Sequence, residues 1–206
     1  MKPMYLPDVE NNPNAEGAYA DLIKAARSAG QEVPQIWHLF AYKPDMTQHL
    51  ERLTHAVMRG PSPLSPGFRE LIATLTSKRN QTPFCATTHA ASTTELLGNR
   101  ELVEAVLQDP RSAPVTPAEK ALLTFVEKVN HEFWNIGEED FEALRAAGWS
   151  DEAIYDAITV CALFNFYNRW VRSTGVSQMG EEGVRISGER IARTGYLRTD
   201  ADAAIA

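Results

Sequence analysis

The chain has 206 residues, of which 44% are hydrophobic and 23% charged. That much apolar surface excludes a disordered or collagen-like chain, and at this length a compact fold buries roughly 70% of what the unfolded chain exposes, with no metal or disulfide as a staple. With 20 basic residues against 27 acidic ones, a net charge of −7 and no basic run longer than Lys78-Arg79, the clustered cations that nucleic-acid binding needs are missing.

The chain begins with a polar, proline-bearing segment, Met1 to Asn14. A helical extension is expected over residues 1–60. Within it, shorter helices are predicted over Ala15–Ser28 and Pro34–Ala41. Met46, Leu50, Leu53 and Val57 then form an apolar stripe at helical spacing, with Gly60 placed to end the helix.

The core is expected over residues 61–176. Ser65 as a cap and Pro66 at the first helical position open a helix carrying Phe68, Leu71, Ile72 and Leu75. Thr82 in the cap position and Pro83 behind it open another over Pro83–Leu97. A shorter one spans Glu101–Leu107. Thr116-Pro117-Ala118-Glu119 reads as a capping box ahead of Leu122, Phe125, Val126 and Val129. A helix over Glu138–Ala147 follows. Ser150 opens the last long one, with Ile154, Ile158, Cys161 and Phe164 on one side and Gly175 near its end. Residues 177–206 are charged and weakly periodic. A final short helix, a docking arm and a frayed tail all fit them, and a C-terminal tail is the simplest assignment. The fold class is all-α.

Two cysteines, Cys85 and Cys161, do not make a disulfide scaffold. No segment approaches the roughly 20 apolar residues that span a bilayer, and there is no apolar stretch behind a basic start. A cytoplasmic protein with no membrane partner is expected. The histidines do not fall at metal-ligand spacing, and no phosphate loop is present, so neither metal nor organic cofactor is implied.

Chemistry concentrates in Asn80 to His89. Cys85 falls in the first turn of its helix, where free backbone N–H groups favour an anion, so a lowered thiol pKa is expected there. His89 lies one turn on and on the same face, able to take the thiol proton. Glu70, beside the apolar stripe of the preceding helix, is a candidate relay carboxylate whose pKa burial would raise towards neutrality. Each has a plainer reading: a buried small hydrophobe, a satisfied histidine, a carboxylate complementing a helix dipole. Their joint spacing, Glu-x11-Thr-x2-Cys-x3-His, is much harder to reach by accident.

This constellation resembles the alkylhydroperoxidase D-like family, in the superfamily that includes carboxymuconolactone decarboxylases. Its members read Glu-x11-Cys-x2-Cys-x3-His, with an Asn two residues before the first Cys, where Asn80 stands here. Val33-Pro34-Gln35-Ile36-Trp37, Pro63-Leu64-Ser65-Pro66 and Phe164-Asn165-Phe166-Tyr167-Asn168-Arg169 resemble further segments of the peroxidase-related branch. The departure is Thr82, which replaces the first Cys. In the family's dithiol cycle that partner condenses with the sulfenic acid formed on the reacting sulfur, and Thr cannot do so.

The resemblance implies an oligomeric helical bundle that reduces peroxides or does related redox work. Cys85 would be the nucleophile, His89 the proton carrier, Glu70 the relay and a small peroxide the substrate. An external thiol would be the reductant, with Cys161 an alternative partner thiol. A second reading is carboxymuconolactone decarboxylase-like acid–base chemistry on a small organic acid or lactone. A third is a non-catalytic oligomeric helical protein. The aromatic cluster Phe164, Phe166, Tyr167 and Trp170 reads as ordinary packing, a pocket wall or a subunit interface, and the homo-oligomers that the resemblance implies favour the interface.

Overall fold

The computed structural model describes residues 2–198. Among them every regular element is helical and there is no strand, as the all-α reading expected. The helices are α1 (Pro7–Glu10), α2 (Ala18–Ser28), α3 (Ile36–Tyr42), α4 (Pro44–Arg59), α5 (Pro66–Arg79), α6 (Pro83–Leu97), α7 (Arg100–Gln108), α8 (Pro117–His131), α9 (Glu138–Ala146), α10 (Asp151–Thr174) and α11 (Glu181–Thr194). No helix among the described residues is long and apolar enough to cross a membrane.

Several ends are set by the residues that announce them. Ser65 accepts the Phe68 N–H at 3.1 Å and opens α5. Thr116 and Glu119 cap α8 reciprocally, and Ser150 accepts from the backbone of Ala153 to open α10. Gly175, at φ 81°, closes α10 in the left-handed conformation that glycine adopts without steric cost. Thr82 occupies the cap position of α6, but its hydroxyl turns backwards and donates to the Asn80 carbonyl at 3.2 Å rather than capping.

α5 is the axis of the molecule. Every residue from Gly67 to Ser77 is buried, so it is enclosed on all sides by α4, α6, α7, α8 and α10 rather than presenting one apolar face. Its apolar residues join those of α8 and α10 in the main core. A turn through Gln81, in the left-handed region at φ 51°, sends the chain back along α6. Asn80 ties this turn to α10, donating to Asn168 at 2.9 Å, while Asn168 donates to Ser77 at 2.9 Å.

The stripe on α4 is not what the spacing predicts. Met46 and Leu53 are 56% and 52% exposed, and the inward face is Thr47, Thr54 and Met58. Thr47 and Thr54 return their hydroxyls to backbone carbonyls of Phe40 and Leu50, which lets a polar residue face inward without an orphaned group.

The segment assigned as a C-terminal tail is helical over Glu181–Thr194, and α11 lies along α6 of its own chain. The approach is so close that a Cβ on Gly188 would sit 2.4 Å from the Ala91 Cβ, well inside contact distance. The remainder of that segment, residues 199–206, lies outside the described residues.

Candidate active site

α5 and α6 run side by side and bring the three predicted residues to one place. Glu70 Oε2 lies 2.8 Å from His89 Nδ1. Cys85, one turn before His89, shares a cavity of about 90 Å³ with it. No hydrogen bond joins Cys85 to His89 among the described residues. The Nδ1 contact fixes the ring and leaves Nε2 as the imidazole nitrogen with no partner among the described residues. The ring is also held edge-on against Phe164, centroids 4.6 Å apart.

Two residues outside the motif complete the carboxylate's surroundings. Arg59, at the end of α4, donates from Nη2 to Glu70 Oε1 at 2.7 Å. Tyr196, just beyond α11, donates its hydroxyl to the same oxygen at 2.7 Å and stands 3.2 Å from His89 Nδ1. The Arg59 guanidinium lies 5.3 Å from the Tyr196 ring centroid, a cation–π contact that holds both. Neither residue carries a motif signal. Tyr196 lay in the weakly periodic terminal segment and Arg59 read as an ordinary basic residue in a last helical turn.

The electrostatics reverse two expectations. Burial alone, complete for Glu70, would raise its pKa, but His89, Arg59 and Tyr196 together hold it below the ordinary carboxylate range. It is an ionised anchor rather than a near-neutral acid. Cys85 is 2% exposed, and burial pushes its thiol up to about 12, with the Asn168 amide only partly offsetting this. The helix start does not win because the sulfur packs among Phe84, Val171 and Met179.

Cys161 is fully buried in the main core, 3.8 Å from the Val126 carbonyl, and burial raises its thiol to about 11. Both cysteines are free thiols. Of the aromatic cluster, Phe164 and Tyr167 line the cavity and only Phe166 is substantially exposed.

The rest of the cavity wall comes from the two ends of the chain. Tyr19 on α2 and Ile36, Trp37 and Phe40 on α3 form one side, while Met179, Ser187, Arg190 and Ile191, with Tyr196 and Arg198, form another. The N-terminal extension and the terminal segment therefore enclose a motif carried by the core. Among the described residues no group of His, Cys, Asp and Glu could hold a metal ion.

An all-helical chain with this α5–α6 pair and its Glu/Cys/His set defines the alkylhydroperoxidase D-like class. A peroxidase-related protein from Ralstonia eutropha JMP134, described as an alkylhydroperoxidase AhpD core, superposes with a TM-score of 0.76 and 26% identity over 91% of this chain and 98% of its own. A second peroxidase-related protein, from Silicibacter sp. TM1040, gives 0.74 and 26% over 88% and 94%. The debrominase Bmp8 shares the fold at 0.65 and 19% identity, over 84% and 91%. No curated protein matches the sequence. The chain belongs to the PA26 p53-induced protein (sestrin) family, whose sequence profile matches residues 6–196.

Proposed function

We infer that this chain is a single-cysteine thiol peroxidase in which Cys85 reduces a hydroperoxide and His89 moves the proton. The observation that supports this most is the 2.8 Å contact between Glu70 and His89 beside a cavity that Cys85 also lines. The peroxidase-related likenesses agree with it.

A thiol pushed up to about 12 is protonated at rest, so the site works by general-base catalysis rather than from a stored thiolate. Ionised Glu70 holds Nδ1–H, which makes Nε2 the nitrogen that accepts the Cys85 proton. Arg59 and Tyr196 keep the carboxylate charged and in place. The cavity has room for water, through which the proton crosses from sulfur to ring. Sulfur attacks the terminal peroxide oxygen, the O–O bond breaks, and the proton passes to the departing alkoxide. The products are a Cys85 sulfenic acid and an alcohol.

With Thr82 in the neighbouring position, an external thiol must condense with that sulfenic acid, releasing water. A second thiol then frees Cys85 and leaves as the disulfide. Cys161, sealed in the core, is a poor substitute.

The raised thiol pKa keeps one other reading open: acid–base work by Glu70 and His89 on a small organic acid or lactone. Cys85→Ser separates the two. Peroxide consumption with an external thiol should vanish in this variant, and intact-mass analysis of the peroxide-treated protein should show one added oxygen or one mixed disulfide at Cys85. Peroxide turnover that survives Cys85→Ser overturns the peroxidase reading.

A further inference from the structure

The cavity carries a charge that the composition does not predict. The chain has an excess of acidic residues, yet the described lining holds His89, Arg190 and Arg198 and no carboxylate.

Arg198 is the informative member. Its guanidinium carbon lies 5.2 Å from the Trp37 ring centroid and 5.9 Å from that of Tyr19, so the side chain is positioned by two aromatic rings. Among the described residues it makes no ion pair, and its Nε is buried with no hydrogen-bond partner. Oε1 of the neighbouring carboxylate, Glu51, accepts the Arg198 backbone N–H at 2.9 Å and the Tyr19 hydroxyl at 3.0 Å, and the Arg198 charge acts on this carboxylate from beyond ion-pair distance. A guanidinium N–H buried without an acceptor is costly unless a ligand supplies one. Arg190 differs, since its Nη1 donates to the Gly195 carbonyl at 3.0 Å and braces the segment that carries Tyr196.

We propose that the substrate is a small organic hydroperoxide bearing a carboxylate, with the carboxylate held by Arg198 and the apolar body against Phe40, Phe84 and Met179. A planar carboxylate suits a guanidinium fork, and the bond is charge-assisted on both sides. The cavity volume of about 90 Å³ suits a small ligand. This assignment rests on the peroxidase reading for its chemistry: Cys85–SH and ROOH give Cys85–SOH and ROH, the sulfur giving up the electron pair that cleaves the O–O bond.

The test compares kcat/KM for a short hydroperoxy acid with that for its carboxamide of equal size. The wild type should prefer the acid by roughly tenfold or more, the worth of one charge-assisted contact. Arg198→Met should collapse that ratio towards one, and Arg198→Lys should keep part of it. A wild-type ratio near one overturns the proposal with no variant needed, and so does a ratio that Arg198→Met leaves untouched.

Calorimetry on Cys85→Ser protein, with the corresponding peroxide-free carboxylic acid as probe, separates the two claims. Binding that is lost on adding Arg198→Met supports the anion site even if no hydroperoxide is ever reduced, in which case the peroxidase reading alone fails. Hydroperoxide reduction without charge preference or acid binding overturns this inference and leaves that reading standing.

Discussion

Glu70 and His89 face each other across the α5–α6 interface with 2.8 Å between oxygen and ring nitrogen, and the carboxylate is wholly shielded from water. Its other oxygen takes hydrogen bonds from both Arg59 and Tyr196, so one buried anion organises three side chains from three other parts of the chain. Glu70→Gln therefore leaves the Arg59 charge buried without its counter-ion. The expected loss is about 3–5 kcal/mol of unfolding free energy, read as a shift in the denaturation midpoint at constant slope. A change below about 1 kcal/mol would mean that the anion is not holding the site together.

The same pair sets an acid limit. Glu70 is held below its ordinary value of 4.5, so its stabilising contribution is complete above that value and drains away as pH falls through the lower, folded-state value. Wild-type stability should fall more steeply below about pH 4.5 than that of Glu70→Gln, whose amide does not titrate. Parallel pH–stability curves for the two proteins would contradict the depressed pKa.

Both thiols should be sluggish towards alkylation at neutral pH. Cys85 is pushed up to about 12 and Cys161 to about 11, so almost none of either is thiolate. Cys85 should nonetheless react first with a reagent as small as iodoacetamide, because it lines a cavity while Cys161 is enclosed in the core. Peptide mapping over a time course checks this. A Cys85 rate equal to that of free cysteine would show that its thiol is not shifted upwards.

Tyr196→Phe removes one hydroxyl and little volume. The Glu70 carboxylate loses a 2.7 Å donor, which is worth about 1.5–3 kcal/mol when the acceptor is charged. Lower peroxide turnover is expected, with the acid limit of stability moving upward because the Glu70 charge is less well held. Unchanged turnover and an unchanged acid limb would make Tyr196 a bystander.

Thr82→Cys restores the missing partner thiol one helical turn before Cys85. Turnover supported by a dithiol reductant should rise, and peroxide should then produce an internal bridge that mass analysis detects as a loss of two hydrogens. If turnover stays flat, a second thiol at this position is not what limits the cycle.

Much of the framework was legible in the sequence because short-range chemistry writes it: Ser65, Thr116 with Glu119, Ser150 and Gly175 set the helix ends where they stand. The Glu/Cys/His set was legible because three spacings coincide. What local pattern could not convey was enclosure. The helix-start argument for a reactive Cys85 was locally reasonable and lost to burial. Met46 and Leu53 keep helical spacing but face solvent, since hydroxyls satisfied by backbone carbonyls fill the inner face of α4 instead. Arg59 and Tyr196 come from opposite sides of the motif in sequence, and only the packing of α4 and α11 brings them to Glu70.

The lodging of α11 against α6, so tight at Gly188 that no larger residue fits, has a practical corollary. A gene trimmed after the codon for residue 180 would still encode every letter of the Glu/Cys/His signature, yet its product would lack Tyr196, both cavity arginines and the wall they stand on. Loss of activity in such a shortened protein would report a missing wall rather than a faulty nucleophile, and scanning genomes for the signature alone would miscount the proteins equipped to use it.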